Sequence, residues 1–152
     1  MVLTYKFKKE KLKSGLYVQR PRILVEIKGL LVSIVVPALI DSGCDITVIP
    51  ESVAKSLGLS LDGEKDKLVA FRESNDVIRS TAIITFIGRL RRDSVTLSKV
   101  PILIVLSKKG YEEEQDIVLG IEGIFDNFDI TFRKSENRII MKKVVKPKGF
   151  YP

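Results

Sequence analysis

The sequence predicts a mainly β fold with one or two short helices. Three observations predict it. The chain has 152 residues and is 45% hydrophobic, enough for one domain with a core of its own. Its apolar residues are chiefly Ile, Val and Leu, which suit a pleated, half-buried surface. The apolar runs are short and are broken by glycine, proline and polar clusters, as strands joined by turns require.

The elements follow in order. Arg22 to Val36 is two strand-like runs punctuated by Gly29, a hairpin or bend. Pro37 precedes a short apolar run, Ala38-Leu39-Ile40, which stops at Asp41. Asp41-Ser42-Gly43 has the composition of a turn. Strand character returns at Ile46, Val48 and Ile49. Pro50 to Leu57 predicts a short helix, with proline in its first turn, Glu51 complementing its dipole, Val53 and Leu57 facing inward and Gly58 ending it. Lys67–Phe71 and Val77–Ile87 are two strands around a polar turn, Arg72-Glu73-Ser74-Asn75-Asp76. Ser94–Leu106 is a strand in which Pro101 implies an edge or a bend. Ile117-Val118-Leu119 is a short buried strand ending at Gly120. Ile121–Phe128 fits a second short helix with Ile121, Phe125 and Phe128 on one face. Asp129–Phe132 and Arg138–Val145 form a closing hairpin, and Phe125, Phe128 and Phe132 are expected in the core.

Charge divides the chain into three parts. Residues 1–22 hold seven Lys/Arg and one Glu, and residues 142–152 hold four Lys. The net charge of the whole is +7, so residues 23–141 are net negative. The expected organisation is a basic N-terminal segment (1–22), a folded domain (23–141) and a basic C-terminal tail (142–152). The plainer reading of the basic ends is that they are solvated. The sharper reading is weak attraction to nucleic acid or to an acidic partner; the aromatic interleaving that stacks bases is lacking, so nucleic acid is not expected as a partner.

Composition also removes whole classes of chemistry. There is no histidine, which excludes Ser-His and Cys-His hydrolysis and every imidazole base. Acid–base work falls to carboxylates, Cys44, tyrosines or lysines. The single cysteine, Cys44, cannot form an internal disulfide, which agrees with a reducing cytoplasm. No apolar run is long enough to span a membrane, and the N-terminus does not have the pattern of a secretory signal. Glu112-Glu113-Glu114 with Asp116 lacks the alternating spacing of a calcium loop and is read as a solvated connection. No metal or cofactor is expected.

The segment Ala38-Leu39-Ile40-Asp41-Ser42-Gly43-Cys44-Asp45-Ile46-Thr47-Val48-Ile49 resembles the catalytic segment of the retropepsins, the single-domain aspartic proteases of retroviruses and their cellular relatives. Ile117-Val118-Leu119-Gly120 is similar to the apolar-apolar-glycine strand near the C-terminus of those proteases, and residues 123–132 resemble microbial members. The resemblance covers roughly residues 20–145. It implies a retropepsin-like acid protease fold, a closed β-barrel-like half of a pepsin fold, working as a homodimer on a peptide or protein substrate.

The chemistry suits the residue types. Hydrolysis without a metal or a covalent nucleophile needs one group to take a proton from water and another to give one to the carbonyl. Two close carboxylates sharing a proton do both, the arrangement of aspartic proteases as a class. One chain offers one such motif, so a two-fold axis would have to bring two Asp41 residues together. The resemblance further implies that Ser42 hydrogen-bonds across the axis, that Gly43 lets the backbone approach substrate, and that Asp45 contacts the substrate backbone. Cys44 fills a small-residue slot, as a small buried hydrophobe or else as an oxidation-sensitive thiol. Arg72, Glu73, Ser74, Asn75 and Asp76 would form the tip of a flap over the cleft. Two departures from the family pattern stand out. Ile121 occupies a position where many members carry an arginine that pairs with the acid at Asp45, and the flap has no glycine between residues 64 and 87. An inactive module that dimerises or binds peptide is the alternative.

Overall fold

The computed structural model describes residues 1–70, 73–108 and 116–145. Among these residues twelve strands and one α-helix run in the order β1 (Val2–Tyr5), β2 (Lys8–Lys11), β3 (Tyr17–Arg20), β4 (Arg22–Lys28), β5 (Ser33–Ile40), β6 (Thr47–Pro50), α1 (Glu51–Leu57), β7 (Lys65–Ala70), β8 (Glu73–Ile87), β9 (Ser94–Val105), β10 (Val118–Leu119), β11 (Phe128–Arg133) and β12 (Arg138–Lys143). A 3-10 turn, Lys134–Glu136, joins the last two strands. The expected mainly β fold is what forms.

Seven strands make one sheet in the order β4-β5-β10-β6-β9-β8-β7. β4 also pairs with β8, so the sheet returns on itself and six strands form a ring, with β7 attached outside it. The ring fills with Val25, Ile27, Ile49, Ile84, Phe86, Ile104 and Leu119, all fully buried. Two pairings in it are parallel, β5 with β10 and β6 with β9.

Pro37 lies inside β5 rather than between two runs, opposite Leu24. Ile40 donates toward the β4 side and Leu39 toward the β10 side. Alternation therefore turns the Pro37 nitrogen toward β10, whose pairing begins only at Leu39, and no donor is missed there. Pro101 does not mark an edge strand, since β9 has β6 and β8 on its two sides. The bend lies just before it. The β8–β9 register shifts between Ala82 and Ile84, and Lys99 takes a left-handed φ of 55°.

Helix α1 begins after Pro50 and ends at Gly58 in the left-handed region, with Ala54 and Leu57 buried. The second expected helix does not form. Residues 122–127 are turns, Gly123 has a φ of 76°, and Phe128 already belongs to β11. A left-handed residue two positions into the segment stops helical propagation after one turn, which the Phe125 N–H closes on Ile121 O at 2.9 Å. Ile124 is the residue that this turn buries fully. Phe128 is in the core, edge-on to Phe86 at 5.0 Å, but Phe132 is 42% exposed beside Phe7.

The N-terminal stretch is not a solvated tail. β1 pairs along β12 in a three-stranded sheet, β1-β12-β11, and buries Leu3 and Tyr5 in the common core with Ile139 and Met141. Val2 and Thr4 face solvent while Leu3 and Tyr5 are buried, the alternation of a strand with one buried face. β2 and β3 form a separate hairpin carrying much of the basic charge. At the other end, β12 extends through Lys143, past the expected domain limit. Among the described residues no helix is long and apolar enough to cross a membrane.

Candidate active site

Asp41 follows directly on β5. Its backbone N–H donates to Leu119 O at 3.0 Å, and Leu39 N–H donates to Ile117 O at 2.9 Å, so the parallel strand β10 seats the end of β5. On the other side, Ile40 N–H donates to Pro21 O at 3.0 Å. The chain then turns. Gly43 N–H donates to Asp41 Oδ1 at 2.8 Å, and Cys44 N–H donates to Asp41 O at 3.2 Å. This turn explains the Asp-Ser-Gly composition, because the aspartate side chain closes it on an amide two residues ahead. The carboxylate is half-buried with one oxygen oriented by the turn, while Ser42 and Gly43 are exposed beside it.

The loop is stitched to the segment after β10. Ile121 N–H donates to Cys44 O at 2.9 Å, and Glu122 N–H donates to Asp45 O at 2.8 Å. Gly120 N–H donates to Thr47 Oγ1 at 3.0 Å, and Thr47 is fully buried. Gly120 packs so close that a Cβ there would stand 2.6 Å from the Ile46 carbonyl carbon. The two motifs of the sequence thus meet in space as one unit. Sequence reasoning did not single out Thr47 or the amides of Gly120, Ile121 and Glu122, although Thr47 lay within the motif.

Thr47→Val keeps the shape but leaves the Gly120 amide buried without an acceptor. Such a group costs about 1–3 kcal/mol. The urea midpoint should fall by a corresponding amount at unchanged slope; an unaltered midpoint would mean that the hydroxyl contributes nothing.

Cys44 is half-buried, and its thiol donates to Ile46 O at 3.1 Å. Burial first, and then the negative charge of Asp41, push its pKa up. It is a poor thiolate, which suits the small-hydrophobe reading. Asp45 is exposed, and among the described residues it has no salt bridge, consistent with Ile121 standing where a cation could have been.

The expected hairpin is present as β7 and β8, but Glu73, Ser74, Asn75 and Asp76 are strand residues rather than a turn. β7 and β8 pair from Lys65–Ile78 to Ala70–Glu73, so Ser74, Asn75 and Asp76 are strand residues opposite Val69, Leu68 and Lys67. Arg72 lies outside the described residues. The polar run looked like a loop because its residues disfavour strands, but pairing with β7 overrides propensity there. β9 accompanies β8 only from Val77 onward, leaving the rest to project as a two-stranded ribbon. Lys108 Nζ donates to Ser74 O at 2.8 Å, one residue from the outer end of the described pairing. Among the described residues no three Asp, Glu or Cys side chains gather where a metal could be held; Glu112–Glu114 lie outside those residues.

Asp41 thus stands at the end of a strand, braced by a parallel strand and carried on a closed sheet. Residues 23–122 match the family model described as aspartyl protease, and the chain belongs to that family. Its fold is similar to a retropepsin-like aspartic protease from Rickettsia conorii, with a TM-score of 0.56 at 11% identity, covering 93% of this chain and 91% of that one. It is also similar to the retroviral protease-like domain of Ddi1 from Leishmania major, with a TM-score of 0.53 at 10% identity, covering 87% and 98%. No curated protein sequence matches the chain.

Proposed function

We propose that this chain is an aspartic endopeptidase whose active site is shared by two copies, with Asp41 of each activating water and protonating the peptide carbonyl in turn. The observation that carries the proposal is the braced, half-buried Asp41 on its closed turn, in a chain with one such motif. One carboxylate cannot be acid and base together, whereas two that share a proton can. Ser42, exposed next to Asp41, is free to reach across a two-fold axis. The projecting β7–β8 ribbon has open backbone along the outer side of β7, suited to hydrogen-bonding an extended peptide. The mechanism needs no cofactor.

The test is subunit mixing at mildly acidic pH, with an unstructured protein as substrate. Wild type is combined with Asp41→Asn chains, and exchange of subunits is verified by mass label. Activity per wild-type chain should fall as inactive chains are added, because mixed dimers hold one carboxylate and one amide. Constant activity per wild-type chain would overturn the shared site. A second reading, an inactive peptide-binding dimer, draws on Ile121 and the unpaired Asp45; it predicts no cleavage by wild type and no inhibition by a statine-type transition-state mimic.

A further inference from the structure

Arg22 opens β4 directly opposite Leu39 of β5, and Leu39 lies in turn opposite Val118 of β10. Its guanidinium reaches across β5. Nη1 and Nη2 donate to the two carboxylate oxygens of Asp116 at 3.1 and 3.2 Å, and Nε donates to Glu10 of β2. Arg20 approaches the other Glu10 oxygen at 3.7 Å. The Arg22 side chain is 9% exposed. Burial by itself lowers an arginine's pKa, but the hydrogen bonds and charges of Asp116 and Glu10 outweigh it, and the net shift is upward.

We propose that Arg22 is a positioning residue for Asp41: its grip on Asp116 fixes where β10 begins, and β10 fixes the end of the strand that presents the aspartate. β10 has only two residues, and parallel pairing is slightly weaker per residue than antiparallel. So short a strand is poorly anchored by its own hydrogen bonds. Asp116 immediately precedes Ile117, whose carbonyl receives Leu39 N–H, and Leu119 receives Asp41 N–H. A bidentate fork at Asp116 sets direction as well as distance, which a lysine ammonium cannot reproduce. An exposed ion pair contributes little, but this one has a buried arginine held by acids from two other segments. The Glu10 contact ties the basic β2–β3 hairpin to the same point.

The catalytic half of this inference rests on the proposed endopeptidase activity, so the experiment has one readout that does not. Asp116→Asn breaks the fork at a half-exposed residue and spares the buried arginine; Arg22→Lys and Arg22→Met complete the series. In each, hydrogen exchange at the Leu39 and Asp41 amides should quicken about tenfold or more, while the β11–β12 pairing exchanges as in wild type. In the peptidase assay kcat should fall about 10- to 100-fold with little change in KM, since misplacement of a reacting group by about 1 Å has an effect of that order. Asp116→Asn should be the mildest and Arg22→Met the most severe. Unchanged exchange at Leu39 and Asp41 in Asp116→Asn and Arg22→Lys would overturn the brace, whatever the activity. Faster exchange with undiminished kcat would overturn its role in positioning Asp41. Faster exchange in a chain whose wild type cleaves nothing would uphold the brace and sink the endopeptidase reading instead.

Discussion

Asp41→Asn should abolish peptide hydrolysis and leave the fold intact. The amide oxygen of asparagine can still accept the Gly43 N–H that Asp41 Oδ1 accepts at 2.8 Å, so the turn closes as before. The backbone donation from residue 41 to Leu119 O does not involve the side chain at all. In the proposed shared site what disappears is every Asp41 carboxylate, because a dimer of the variant would have two amides there. Neither can take a proton from water. The loss should be at least about 100-fold, the lower bound for removing a positioned general base. The thermal midpoint should barely move, as for a substitution that keeps shape and contacts. Initial rates and a melting curve on one preparation check both halves, and cleavage at the wild-type rate would remove Asp41 from the chemistry.

Gly120→Ala should be the most damaging single methyl in the site. The added carbon would lie 2.6 Å from the Ile46 carbonyl carbon, 2.8 Å from Ile46 N and 2.9 Å from Cys44 O. These are backbone atoms of one loop, so no side chain can swing aside to relieve the overlap. The segments must separate, and the donations from Gly120 to Thr47 and from Ile121 to Cys44 separate with them. Overpacking in a tight core costs about 1–3 kcal/mol, sometimes more, and here the upper end is expected because backbone must move. Activity should fall with stability, by about 100-fold for a shift near 1 Å at the aspartate. Denaturant midpoint and kcat measured together give the test. A variant normal in both would show that the loop and the β10 segment are not rigidly joined.

Local signals were the legible ones. The turn at Gly29, the helix between Pro50 and Gly58, and the apolar run into Asp41 are each specified by residues within a few positions of one another, and each formed. The meeting of residues 41–47 with 117–122 was not legible in the sequence, since no periodicity links them. Elsewhere the local signal misled. Ile121, Phe125 and Phe128 have helical spacing, yet Gly123 breaks the helix with a left-handed φ. Ser74-Asn75-Asp76 has loop composition, yet it pairs in register with β7. The alternation of Leu3 and Tyr5 was visible, but lysine content dominated the reading. The Arg22–Asp116 fork could not have been read at all, because its partners are 94 positions apart and each is an ordinary charged residue alone.

The pairing of β1 with β12 bears on when this molecule can complete its fold during its own synthesis. On a ribosome β1 emerges before the other described strands and must wait for its partners at residues 139–142. Contacts between such distant segments form late, after the entropy of closing a long loop has been overcome. Leu3 and Tyr5 stay unburied meanwhile, and strand edges left open in this way invite aggregation or chaperone capture. A nascent chain therefore lacks a finished core until β12 has left the exit tunnel.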